Sequence, residues 1–146
     1  MDTKETVIDV KHLKKSFGET DVLKDINLQL SRGETIVTLG KSGTGKSVTL
    51  KCIVGLIFPD SGTVNKMPSE LSGGMRKRIG VARTIIMNPE IMLWDEPTTG
   101  LDPETTRDIS HLIVRMQEKY KVSSIVVTHD MICAKIVADR ILVLND

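Results

Sequence analysis

Eight consecutive residues, Gly40, Lys41, Ser42, Gly43, Thr44, Gly45, Lys46 and Ser47, follow a spacing that can hold a chain of phosphates: glycine, four free positions, then Gly-Lys-Ser. Glycines let the backbone curl around an anion and turn its N–H groups inward. The Lys46 ammonium can reach the outer phosphates, and the Ser47 hydroxyl can bind Mg²⁺. A helix starting here presents its positive end to the anion. A second pair of reactive groups lies further on. Ile91-Met92-Leu93-Trp94 is followed by Asp95 and Glu96, which describes a buried strand with carboxylates at its tip. Asp95 can hold Mg²⁺, usually through water, and Glu96 can polarise an attacking water. Two acids at a strand end are by themselves most often a solvated terminus. The phosphate-binding spacing and the segment Leu71-Ser72-Gly73-Gly74-Met75 tip the balance toward chemistry.

These groups need elements to position them. Thr35-Ile36-Val37-Thr38-Leu39 is a β-rich run ending at Gly40, and a helix is expected from Lys46 to about Ile57. Thr6 to Lys14 and Val22 to Leu30 read as strands, joined by a turn over Phe17, Gly18, Glu19, Thr20 and Asp21. Pro59-Asp60-Ser61-Gly62 is another turn. Ser72 can cap a helix over 73–87, where Met75, Ile79, Ala82 and Ile86 recur at helical spacing. Asp102 can cap a third helix with Pro103 at its first position, burying Ile109, Leu112, Ile113 and Met116. Ser124-Ile125-Val126-Val127-Thr128 and Ile141 to Leu144 complete the strands. Strands alternating with helices imply an α/β fold with a mostly parallel sheet and an antiparallel N-terminal β portion. His12 and His111 read as ordinary surface histidines, and Trp94 as a core residue facing away from Asp95.

The order of these segments resembles the nucleotide-binding subunit of an ATP-binding cassette (ABC) transporter, a P-loop NTPase. The resemblance runs from Phe17 to His129. It implies adenine stacking on Phe17, although a turn aromatic is often only a packing residue. It implies ATP contacts from Gly40 through Val48 and Mg²⁺ held by Ser47 and Asp95. It makes Glu96 the catalytic base, with Lys46 and His129 acting on the γ-phosphate. Ser72, Gly73 and Gly74 would bind the ATP of an opposite protomer, so that a homodimer encloses two nucleotides. Asp102 would lie in the loop crossing that interface. The partners implied are a second copy and an integral membrane permease on a separate chain. The implied location is cytoplasmic, at the inner face of the cell membrane. The wording KMPSELSGGMRKR, then DEPTTGLDPET, is similar to bacterial ATPases of phospholipid-trafficking systems (the Mla or Mce-associated type).

Composition agrees with one domain. The chain has 146 residues, 40% apolar and 27% charged, enough for a core. A net charge of +1 supplies no global field to recruit nucleic acid. Arg76, Lys77, Arg78 and Arg83 read as the solvated face of a helix. Cys52 and Cys133 lack CxxC spacing and read as small core residues. No apolar run is long enough for a membrane span, and the N-terminus does not read as a signal peptide.

The departure from the family is an omission. Only 23 residues, 48–70, separate Ser47 from Leu71. Members of the family carry a glutamine-bearing loop and a helical subdomain there. Gly62-Thr63-Val64 resembles the strand leading to that loop, and Lys66-Met67-Pro68 resembles the tail of the subdomain. A deletion near residue 65 is therefore expected within a single shortened nucleotide-binding domain over 1–146. The only glutamines are Gln29 and Gln117. The omission leaves two alternatives to a working transport ATPase: a nucleotide-binding or dimerisation module without coupled hydrolysis, and a soluble ABC protein outside transport.

Overall fold

The computed structural model describes residues 4–66 and 90–145. Among them are ten elements: β1 (Thr6–Phe17), β2 (Thr20–Ser31), β3 (Thr35–Leu39), α1 (Lys46–Val54), β4 (Ser61–Lys66), β5 (Ile91–Asp95), α2 (Pro103–Tyr120), β6 (Ser123–Thr128), α3 (Met131–Val137) and β7 (Arg140–Val143). The strands form two sheets. One is antiparallel, in the order β2-β1-β4; the other has the order β5-β6-β3-β7, with every described pairing parallel. The α/β architecture and the antiparallel N-terminal portion match the expectation.

The two inner strands of the parallel sheet, β6 and β3, are covered on both faces. Every residue of β3 and β6 is buried. Side chains alternate between two cores, as strand geometry requires. Ile36, Ile125 and Val127 join the core shared with α1 and the antiparallel sheet, alongside Leu30 and Ile53. Val37, Val126 and Trp94 join the core under α2 and α3, alongside Ile113, Met116 and Cys133. Trp94 thus packs as core, as its place beside Asp95 predicts. Both cysteines are buried and free, and burial raises both thiol pKa values above the usual. His12 and His111 are exposed, with His12 Nδ1 3.0 Å from Asp25 Oδ1.

Several element ends differ from expectation. The β1–β2 turn is only Gly18 and Glu19, because Phe17 pairs with Thr20 across the hairpin. Helix α1 ends at Val54 rather than Ile57. Gly55 takes φ 83°, in the left-handed region where it carries no Cβ penalty, and its N–H bonds back to the Cys52 carbonyl. Strand β4 starts at Ser61, inside the expected turn, and runs to Lys66. Lys66 belongs to that strand: it pairs with Ile8, and its ammonium donates to the Ile53 carbonyl at 2.6 Å, while Met67 and Pro68, expected with it as the tail of a helical subdomain, lie outside the described residues. That cation lies at the negative end of α1, where helix carbonyls lack partners. The signature residues Ser72, Gly73 and Gly74, the helix expected over 73–87 and the basic cluster lie outside the described residues.

Candidate functional site

The site forms where β3, β5 and β6 end, because parallel strands deliver their C-terminal residues to one edge. Leu39 pairs with Thr128, and Asp95 pairs with Val127. The residues just beyond each strand therefore meet there: the loop at 40–45, Glu96, and His129.

The loop is shaped by Gly45. It is the N-cap of α1 with φ 89°, and a Cβ on it would sit 2.6 Å from Leu23 Cδ2 and 3.0 Å from the Val22 carbonyl. Strand β2 thus runs directly beneath the loop, and only glycine fits. No side chain caps α1. Its first N–H groups remain available to an anion at the positive helix end. Thr44 closes the loop by donating its hydroxyl to the Lys41 carbonyl at 2.8 Å. Lys46 is only 5% exposed, and its ammonium donates to the carbonyls of Gly40 and Lys41, both at 2.7 Å. The Val48 side chain is partly buried and packs against the core.

Across from this loop stand the two acids. Ser47 donates its hydroxyl to Asp95 Oδ1 at 3.0 Å. Glu96 Oε1 lies 3.9 Å from the Lys46 ammonium, and Glu96 Oε2 lies 3.0 Å from His129 Nδ1. The Thr99 hydroxyl donates to the same Oε2 at 3.1 Å. Lys46, Ser47, Asp95, Glu96 and His129 thus form one connected group. Phe17 is 48% exposed at the end of β1. Its partner Thr20 is three residues before Leu23, which underlies Gly45, so about 10 Å of strand separates the ring's turn from the loop. Asp102 is not drawn into the cluster. Its carboxylate caps α2, accepting from the N–H groups of Glu104 and Thr105 and from the Thr105 hydroxyl.

Three features were not read from the sequence. Glu96 has φ 49°, an uncommon conformation for a residue with a Cβ, costing about 1 kcal/mol or more. Its N–H bonds to the Val127 carbonyl at 2.8 Å, which holds it there. The turn-forming Pro97-Thr98-Thr99-Gly100 was the available signal. Asp130 caps α3 through the N–H groups of Ile132 and Cys133, and accepts from the buried Thr98 hydroxyl at 3.1 Å. That bond ties the loop after Glu96 to the loop after His129. An aspartate just before an apolar helical run is an N-cap signature.

A hard-cation site fits these groups. The Ser47 hydroxyl and the Asp95 carboxylate are oxygen donors side by side, and Mg²⁺ needs only one or two protein ligands beside phosphate and water.

Comparison with known proteins gives a consistent result. The family model described as "ABC transporter" matches residues 23–67 and 63–99. The "probable ribonucleotide transport ATP-binding protein mkl" of Mycobacterium leprae is 30% identical, over 91% of this chain and 59% of its own length. The "arginine transport ATP-binding protein ArtM" of Bacillus subtilis is 28% identical, over 95% of this chain and 88% of its own. Among solved structures, cbiO1 of Clostridium perfringens, described as part of the ABC transporter complex cbiONQ, superposes with a TM-score of 0.83. It is 20% identical, covering 97% of this chain and 86% of its own, so it bears on the fold alone.

Proposed function

The chain belongs to the ABC transporter family, whose model matches more than half of it, and from that premise we propose that it binds and hydrolyses ATP to energise a membrane transporter. One observation carries this reading: Lys46, Ser47, Asp95, Glu96 and His129 converge at one edge of the parallel sheet, with Glu96 3.9 Å from the Lys46 ammonium and 3.0 Å from His129 Nδ1. The N–H groups of the loop and of the first turn of α1 would bind the phosphates. Lys46 would exchange two carbonyl acceptors for charged phosphate oxygens, which bind an ammonium more strongly. Ser47 and Asp95 would hold Mg²⁺, which neutralises charge on the transferring phosphate. Glu96 would orient water for in-line attack on the γ-phosphorus. The bond to the ADP oxygen breaks, and the water proton passes through Glu96 to solvent. His129 would bond the γ-phosphate with one ring nitrogen while the other stays on Glu96. Phe17 would stack on adenine.

Two further elements belong to this proposal. Ser72, Gly73 and Gly74 of a second copy would close over the γ-phosphate, with Asp102 at the interface and hydrolysis reopening the pair. The energised pore would be a separate permease, as the family resemblance implies; no helix among the described residues is long and apolar enough to span a membrane. That pairing would place the chain at the inner face of the cell membrane. The proposed cargo is a phospholipid or similar hydrophobic solute. It rests on the wording of residues 66–78 and 95–105 alone, since the relatives' names give ribonucleotide and arginine. Purification with its permease, followed by mass spectrometry of retained lipid, tests it; retention of only polar solutes rejects it.

Length favours a second reading, a nucleotide-binding module without coupled hydrolysis. The alignment with ArtM extends over 211 positions, whereas this chain has 146 residues. This supports an internal deletion. Neither glutamine takes up the place of a glutamine loop. Gln29 lies within β2, and Gln117 donates to the Gly33 carbonyl at the far end of the parallel sheet. Calorimetry with MgATP, then turnover against Glu96→Gln, separates the readings. The ATPase reading expects saturable binding and a Mg²⁺-dependent rate that Glu96→Gln lowers about a hundredfold or more with binding kept. Binding without a rate above that control favours the module.

A further inference from the structure

We propose that Asp60 is a positioning residue that fixes the Phe17 ring relative to the phosphate loop, and so sets the part of nucleotide affinity that depends on the base. This inference rests on the nucleotide reading above.

Asp60 lies on the exit from α1, the helix that begins at Lys46. That exit is tied back to the helix, because the N–H groups of Leu56 and Ile57 both bond to the Lys51 carbonyl. The Asp60 N–H then donates to the Lys14 carbonyl at 2.9 Å, bringing the segment alongside the end of β1. There one carboxylate holds both residues that precede Phe17. Its Oδ1 accepts from the Lys15 ammonium at 2.9 Å, and its Oδ2 accepts from the Ser16 N–H at 2.7 Å. The same Lys15 ammonium lies 5.3 Å from the centroid of the Phe17 ring. A cation at that distance is attracted to the ring's π-face.

The ladder pairs this tip, Ser16 with Asp21 and Phe17 with Thr20, but it is irregular there. The β1–β2 register shifts between Lys15 and Ser16, and the β1–β4 register shifts between Lys11 and Lys14. The Asp60 carboxylate adds two bonds at the shift between Lys15 and Ser16. On the other side of the hairpin, the Ser16 hydroxyl donates to Asp21 Oδ1 at 2.6 Å. The Lys15 side chain is only 17% exposed, which sharpens its geometry over a freely solvated pair. The Lys15 and Ser16 bonds hold the Asp60 carboxyl below the usual carboxylate range. A mere loop staple would affect stability alone. A staple that places an aromatic platform would also affect binding, and only of ligands that carry a base.

Calorimetry with MgATP and with magnesium tripolyphosphate, which has phosphates and no base, makes that distinction. Phe17→Ala is expected to weaken MgATP about tenfold and leave tripolyphosphate unchanged. Asp60→Ala is expected to weaken MgATP about fivefold, also without effect on tripolyphosphate. The double variant should bind no more weakly than Phe17→Ala alone, since both changes remove one interaction. Asp60→Asn keeps an acceptor for the Ser16 N–H and drops the charge facing Lys15. It should lie between wild type and Asp60→Ala, and it carries the test if Asp60→Ala does not fold. Equal losses for both ligands, additive losses in the double variant, or an unaffected MgATP affinity in Phe17→Ala overturns the inference and leaves the phosphate site standing. A wild-type chain that binds neither ligand overturns both.

Discussion

Lys46 combines a charge, near-complete burial and two short bonds to carbonyls of its own loop. A buried ammonium is tolerable only when hydrogen-bonded, so these carbonyls hold it ready beside Glu96. Substituting alanine removes the cation of the loop that faces Glu96. The expected result for Lys46→Ala is a loss of MgATP affinity of about tenfold or more in calorimetry. Unchanged affinity would mean that phosphate is not bound as described. At this scale most of the site was legible in the sequence, because Gly-Lys-Ser spacing and an Asp-Glu strand tip constrain residue types directly. What escaped reading depends on the third dimension. Nothing in a glutamate's chemistry announces φ 49°, and it becomes necessary only once the Glu96 N–H must meet the Val127 carbonyl. The bond from Thr98 to Asp130 likewise joins residues 32 positions apart.

At the scale of the element, the start of α1 is the strictest position. Gly45→Ala adds a Cβ against Leu23 and the Val22 carbonyl while forcing alanine to φ 89°. Together these should cost about 2 kcal/mol or more and lower the thermal midpoint. A wild-type midpoint in Gly45→Ala would mean that β2 yields easily beneath the loop. The start of α2 predicts a pH effect. The Thr105 hydroxyl, then the Thr105 N–H, holds the Asp102 carboxyl below its ordinary value. A depressed folded pKa adds stability that is full above the unfolded value and lost as pH falls through the folded one. Asp102→Ala should therefore lower the midpoint at neutral pH, and the gap should close as acid protonates the wild-type cap. A gap that persists at the acid end would exclude the carboxylate as its source. Apolar runs revealed β3, β5 and β6 with little error. Element ends were read less well where long-range pairing competes with local turn signals. Ser61 and Gly62 read as turn residues, yet Ser61 pairs with Lys14 and opens β4.

At the scale of the whole molecule, two kinds of self-association compete. The proposed nucleotide sandwich requires MgATP. The other requires only exposed apolar surface, which the structure supplies. Strand β7 is at an edge of the parallel sheet, and among the described residues it pairs only with β3. Ile141 and Val143 on that strand are 46% and 55% exposed, and Phe58 beyond α1 is 84% exposed. Unpaired strand edges carrying apolar side chains recruit other chains. With a net charge of +1 there is little mutual repulsion to oppose this. Light scattering coupled to size exclusion should therefore find a mass that rises with protein concentration in the absence of nucleotide. Replacing Ile141 and Val143 by lysine puts charge on the edge and should suppress that rise. The same double variant should leave a dimer trapped by MgATP in Glu96→Gln intact, since the sandwich uses other groups, the phosphate loop and Ser72. A monodisperse monomer at high concentration would refute the edge mechanism. Loss of the MgATP-dependent dimer in the lysine variant would mean that one surface serves both associations.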